Sequence, residues 1–366
     1  MIYHFMYILF IIIVLCSCVE TPTEQKIVNI DKVTDGDLLV LCEGLMGYDN
    51  SSLTAILYNS GRIIEDYYAS SNPNDKLGDT SNDIILKNDT AYIPSSMGAY
   101  IQVFNVKSAK ATGVIPLPAG SMPRKMKIIN DTMAVVSDLL NSRLIFINTS
   151  NHNIINTVGT GPQPEGIEVY QNYIFAANSA YGDFNWEHPD AETISVIDIS
   201  LMKEIAKIKA GTNVIELLVN HKLKRLYAAY INLPSRKDSS GGIIEYSLEN
   251  FNKLREWRLN PHSLSLSDDG DKLYLINQSS NNNDKWRGIS VINLQNGNIH
   301  NIIENKSKDI WYSLLINSYD NTALIGNAGN HNQKGEILLY NLDNPEKAIR
   351  KFPTGINPNT IIKVKK

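Results

Sequence analysis

From residue 36 onward, short apolar runs alternate with clusters of Asn, Asp, Gly and Ser. Runs of this kind, bounded by turn residues, predict β-strands. Two segments show the unit most plainly: "DIILKNDTAYIPSS" (83–96) and "KMKIINDTMAVVSD" (125–138). Each is an apolar strand, an Asn-Asp-Thr turn and a second apolar strand. The shape recurs, with drift, as "GIEVYQNYIFAANS" (166–179), "ELLVNHKLKRLYAAY" (216–230), "SLSLSDDGDKLYLIN" (263–277) and "SLLINSYDNTALIGN" (313–327). A third strand follows each pair, for example "YIQVFNV" (100–106), "TISVIDI" (193–199) and "GISVINL" (288–294), and then a weaker fourth.

The third-strand positions Phe104, Phe146, Ile197, Tyr246, Ile292 and Tyr340 lie 42, 51, 49, 46 and 48 residues apart. Four short strands at such a period are the pattern of a β-propeller blade. Six copies fill residues 83 to about 355. At the N-terminal end, "GDLLVLCEG" (36–44), "LTAILYN" (53–59) and "RIIEDYYA" (62–69) read as second, third and fourth strands without a first. The final "NPNTIIKVKK" (357–366) reads as a first strand alone. Joined, they make a seventh, composite blade and remove two open sheet edges. The expected fold is therefore all-β, a seven-bladed β-propeller closed by a composite blade of N- and C-terminal strands. An open pair of sheets or another blade count is the alternative.

The best copy, "GPQPEGIEVYQNYIFAANS" continuing to "ISVIDISLMKEIAKIKAG", resembles the YncE-like, or YVTN, β-propeller repeat. The resemblance covers essentially the whole chain that would remain after removal of an N-terminal signal. It speaks for fold more than function, since propellers host both enzymes and binders.

The N-terminal end adds a location. Met6 to Leu15 is apolar but about half the roughly 20 residues a membrane-crossing helix needs. Leu15-Cys16-Ser17-Cys18 resembles a bacterial lipobox, which implies removal of residues 1–17 and lipidation of Cys18. A signal peptide with two incidental cysteines is the alternative. Residues 18–35 would be the lipidated N-terminus and a polar leash, and 36–366 the propeller. Acidic Glu20 and Glu24 resemble the surface-export signal of Bacteroidota lipoproteins. Cys42 alone would remain, so no disulfide framework is available. The net charge of −4 and the lack of a dense basic stretch give nucleic acid no support as a partner.

Loops between second and third strands, and between blades, share one face of a propeller. Several are long: "EGLMGYDNSS" (43–52), "NSAYGDFNWEHPDAET" (178–193), "YINLPSRKDSSGG" (230–242), "NQSSNNNDKWRG" (277–288) and "NAGNHNQKG" (327–335). Long loops on one side of a rigid scaffold are where function concentrates. Their aromatics and amides suit a large, uncharged ligand. The candidate ligand-binding residues are Tyr48, Tyr100, Arg124, Asn178, Tyr181, Phe184, Trp186, Tyr230, Asn277, Trp286, Trp311, Tyr312 and Asn327. Pinning of loops to the blades is the competing role for each.

Catalytic patterns are sparse. His188, His262 and His331 could meet on the loop face but no pair has metal-ligand spacing, and Asp183, Glu187, Asp190 and Glu192 crowd one loop, which reads as a solvated acidic loop with a Ca²⁺ site as the alternative. No Gly-x-Ser-x-Gly elbow is present. Asp89-Thr90-Ala91 and Asp131-Thr132-Met133 resemble a Bacteroidota O-glycosylation acceptor, and also read as ordinary turns.

The expectation is a non-enzymatic lipoprotein facing the exterior of an outer membrane, without cofactor or metal, that captures a small-molecule nutrient. A TonB-dependent receptor would take the ligand onward. The resemblance to BtuG-type cobalamin scavengers among YncE-like lipoproteins implies a corrinoid. A glycan-binding or protein-interaction scaffold, or a lactonase- or quinoprotein-like enzyme, stands as the alternative.

Overall fold

In the computed structural model, which describes residues 32–233, 235–236, 240–278, 286–307 and 309–365, the strands pair into seven four-stranded antiparallel sheets. Residues 1–17, Cys18 and most of the leash lie outside the described residues. Blade 1 is the composite. Its inner strand is Pro358–Lys363, followed outward by Leu38–Cys42, Ser52–Leu57 and Arg62–Ile64. Blades 2 to 7 take their inner strands from Ile85–Lys87, Pro123–Ile128, Pro164–Tyr170, Val214–Asn220, Pro261–Leu266 and Trp311–Asn317.

Second and third strands bury nearly every residue, because each blade is covered on both faces by its neighbours. Phe146 in blade 3 and Phe175 in blade 4 are wholly buried. Outer strands keep contact on few positions, as in Ile154–Gly159, where only Val158 is buried. The core therefore lies between blades. Tyr92, Ile101, Val103 and Ile115 of blade 2, for example, pack on Met126, Ala134, Val136 and Ile145 of blade 3. Closure works the same way. Leu38 pairs with Lys363 and Val40 with Ile361, while Val40, Cys42 and Ile56 pack on Leu324, Ile337 and Phe352 of blade 7. Burial pushes the Cys42 thiol up to about 11, so it is an inert core group.

One expected strand is shorter than its sequence suggested. The outer strand of blade 1 ends at Ile64, and Tyr67–Ser71 forms a helical turn capped by Asp66, whose carboxylate accepts from Ala69 N at 3.1 Å. Burial decides it: Tyr67 and Tyr68 turn inward together, and Tyr67 donates to the Val106 carbonyl at 2.7 Å. A strand would have sent one of the two outward.

The inner strands carry a shared irregularity that shapes the site. Pairing with the second strand slips between Pro123 and Met126, Pro164 and Ile167, Pro261 and Leu264, and likewise near the starts of blades 5 and 7. A bulge here turns two successive residues toward the axis before regular alternation resumes.

Candidate functional site

Because of these bulges, the mouth of the central channel is lined by two successive residues from each blade, which make two stacked rings. The upper ring holds Arg124, Glu165, Ile215, His262, Tyr312 and Asn359, with Asn82 completing the circle. The ring beneath holds Lys125, Gly166, Glu216, Ser263, Ser313 and Thr360, with Asp83 beside them. Lys127, Glu168 and Leu218 lie deeper. Together they enclose a cavity of about 540 Å³ that opens on the long-loop face and takes in Tyr181 and Asn213 at its edge. That is within the roughly 300–1,000 Å³ of small-molecule sites.

Its walls differ in chemistry. On blades 3 and 4, Arg124 Nε meets Glu165 Oε1 at 2.6 Å and Lys127 Nζ meets Glu168 Oε1 at 2.7 Å. Burial works against the Lys127 ammonium, but Glu168 more than offsets it and raises its pKa; Arg124 is held up likewise by Glu165. Asp83 accepts from Met126 N at 2.9 Å, tying blade 2 to blade 3. Opposite, Tyr312 stacks on His262 (5.2 Å between centroids, 27° between planes) and packs edge-on to His331. The Tyr312 hydroxyl donates to Glu43 Oε2 at 2.8 Å, and burial together with Glu43 pushes its pKa up. Burial also drives His262 down to about 4, so the imidazole is neutral at pH 7. Glu216 accepts from Leu264 N at 3.1 Å; burial raises its pKa to about 7 against the pull of Lys125.

The candidate residues separate sharply. Arg124 and Tyr312 lie in the channel mouth, and Tyr181 borders it. Tyr48 and Phe184 stand out from the rim, 69% and 77% exposed, with Phe184 edge-on to Tyr181. Trp186 is half-buried under the Arg236 guanidinium, and Trp286 is half-buried. Six others are structural. Asn178, Asn277 and Asn327 end second strands and are buried. Asn178 donates to Thr193 Oγ1 and Ser195 Oγ, Asn277 accepts from Asn260 N, and Asn327 accepts from Gly329 N. Tyr230 covers Gly211 and donates to Glu256, Trp311 packs on Tyr340, and Tyr100 lies over Gly78 and Gly98. These six hold the loops to the blades rather than present them.

Neither metal arrangement assembles. His262 and His331 flank Tyr312, while His188 is exposed on another loop. Asp183 is bonded to Ser235, Asp190 faces Lys207 at 3.5 Å, and Glu192 pairs with Arg236 at 2.7 Å. No three metal-capable groups gather among the described residues. Thr90 and Thr132 lie at first-to-second-strand turns, on the face away from the mouth.

Lys125, Lys127, Glu165, Glu168 and Glu216 were not among the loop candidates, yet all five line the channel. Their signal was charge within apolar inner strands, as in "KMKII" and "EGIEV". Charged side chains are rarely buried without a partner or a role.

Fold and site together define a closed seven-bladed β-propeller with a polar channel mouth. The chain belongs to the DUF5074 family, a domain of unknown function, whose family model matches residues 36–282. No curated protein sequence matches it. Similar solved structures include a quinonprotein alcohol dehydrogenase-like protein from Bacteroides thetaiotaomicron (TM-score 0.68, 14% identity, 90% of this chain and 78% of that one). A putative 6-phosphogluconolactonase from Bacteroides fragilis aligns with TM-score 0.64 at 12% identity, over 91% of this chain and 99% of that one. Hydrazine synthase of Kuenenia stuttgartiensis aligns with TM-score 0.65 at 14% identity, over 78% and 95%. At such identities the likeness shows the fold alone.

Proposed function

We propose that the protein captures a small polar molecule in the loop-face mouth of its propeller channel. The observation that carries this reading is the cavity of about 540 Å³, whose walls combine charged, amide, hydroxyl and aromatic groups on a rigid ring of strands. Capture is favoured over turnover because four charged groups of the channel are locked in pairs, Arg124 with Glu165 and Lys127 with Glu168, which leaves Glu216, with its pKa raised to about 7, as the one group that turnover would use. A lipid anchor at Cys18 would hold the mouth near an outer-membrane receptor of the TonB-dependent class, which would receive the ligand.

A second reading has its own support. Met46, Tyr48, Met97, Leu140, Tyr181 and Phe184 are each exposed, on loops that blade order sets in a crescent along blades 1 to 4 of the loop face, and Phe184 packs edge-on to Tyr181. The YncE-like resemblance implies a corrinoid, and a ligand of that bulk would rest across this crescent rather than enter the cavity.

Equilibrium dialysis of the purified protein against a library of hydrophilic metabolites, with cyanocobalamin as a separate arm, tests both. Retention of a metabolite at micromolar concentration, recovered chemically unchanged, supports capture in the cavity. Retention of cyanocobalamin alone transfers the site to the crescent. Chemical conversion of a retained metabolite makes the protein an enzyme, and retention of nothing removes the capture reading.

A further inference from the structure

Within the second ring, Lys125, Glu216 and Asp83 stand outside the charge pairs around them, and Asp83 already accepts from the backbone N–H groups of Ile84 and Met126. Lys125 Nζ has the Asn82 carbonyl as its partner, at 2.8 Å, and no carboxylate among the described residues lies in ion-pair range of it. Glu216 has the backbone N–H of Leu264 and no cation within that range. They occupy equivalent positions on blades 3 and 5. The position between them, on blade 4, is Gly166. A Cβ there would come within 2.9 Å of the Ile215 carbonyl and 3.0 Å of Glu216 Cα, so the close approach of the two strands excludes a side chain. The ring thus has a gap at Gly166 flanked by the two residues, with Lys125 leaning to Asn82 of blade 2 and Glu216 to Leu264 of blade 6. No ion pair joins them, although Lys125 and Lys127 both pull the Glu216 proton equilibrium down against burial.

Two further atoms point to a missing partner. Asn359 and Thr360, on blade 1, line the same cavity, and their Oδ1 and Oγ1 atoms are buried without a hydrogen-bond partner. Buried polar atoms left without partners are rare and costly, and a ligand is one way to satisfy them. Above them the stacked Tyr312 and His262 rings offer a flat wall for an apolar or planar group.

We propose that the ligand is a small zwitterion of the amino-acid type, its ammonium received by Glu216 and its carboxylate by Lys125. This rests on the capture reading and narrows it. The ligand supplies the two charges that the gap leaves unpaired, and its remaining polar hydrogens reach Asn359 and Thr360. Both ends are fixed, which selects against simple amines and simple acids.

The test titrates the purified protein by thermal shift with each of the twenty standard amino acids. Calorimetry then compares the tightest with its amide, which lacks the carboxylate, and its N-acetyl derivative, which lacks the ammonium. Blocking either end should weaken binding at least about tenfold, the scale of one lost charge-assisted hydrogen bond. E216Q should weaken the free amino acid but leave the N-acetyl derivative unchanged. K125Q should weaken it but leave the amide unchanged. Both replacements retain a polar group for Leu264 N or Asn82 O, and melting curves check the fold. The inference is overturned if no amino acid binds, if blocked derivatives bind as well as the free form, or if the two variants bind like wild type. A hydrophilic metabolite retained in dialysis while all twenty amino acids fail would sink the zwitterion and leave capture standing; retention of nothing would sink both.

Discussion

Glu216 and His262 share the channel but respond to acid in opposite senses. Burial lifts the Glu216 carboxyl from 4.5 to about 7, so its contribution to stability is fully present below pH 4.5 and is lost as the pH rises through about 7. Burial lowers His262 from 6.5 to about 4, so its contribution is present above pH 6.5 and is lost as the pH falls through about 4. In the native protein the two trends partly cancel. E216Q removes the first, so denaturant melts at pH 4 and pH 8 should show the variant gaining on wild type toward alkaline pH. The gain should be on the order of 1–2 kcal/mol, discounted for the channel's partial hydration. An equal difference at both pH values would contradict this assignment. Asn178 belongs to the same scale but not to the site. Asn178→Ala leaves a buried loop end unheld and should cost about 1–3 kcal/mol of stability while ligand affinity stays unchanged. The sequence could not separate such a latch from a contact residue, because an Asn closing a strand and an Asn in a loop are adjacent in the chain. Arg124 and Tyr312 were legible as site residues. Glu216 and Lys125 showed only as charges within apolar inner strands, and it is the bulge geometry that turns them inward.

At the level of the elements, the repeat was readable because each strand must alternate or bury as its layer requires. The composite blade followed from a missing first strand at one end and an unmatched strand at the other. What resisted reading was local competition. "RIIEDYYA" has strand composition throughout, yet the Asp66 cap and the joint burial of Tyr67 and Tyr68 bend it into a helical turn after Ile64. Closure carries a prediction of its own. Removing residues 358–366 strips the inner strand from blade 1 and bares the edge of Leu38–Cys42, whose side chains are all buried. The truncated protein should aggregate or sediment as oligomers on size-exclusion chromatography. A monomer with the wild-type melting temperature would show that the ring does not depend on this strand.

Across the whole molecule, the channel and the crescent offer two sites of different character on one face. The fold fixes their neighbourhood, since every loop between second and third strands must emerge beside the mouth. It does not fix their chemistry, and structures related at 12–14% identity share the scaffold without sharing these side chains by necessity. The central claim is that the channel mouth, rather than the crescent, holds the ligand. Its most direct test is calorimetric titration of the retained metabolite into wild type, Ser263→Phe, which fills the second ring, and Phe184→Ser, which strips the most exposed crescent aromatic. The account predicts that Ser263→Phe melts like wild type but loses detectable binding, while Phe184→Ser binds within about twofold of wild type. Unchanged affinity in a folded Ser263→Phe variant, or loss of binding in Phe184→Ser, would contradict it.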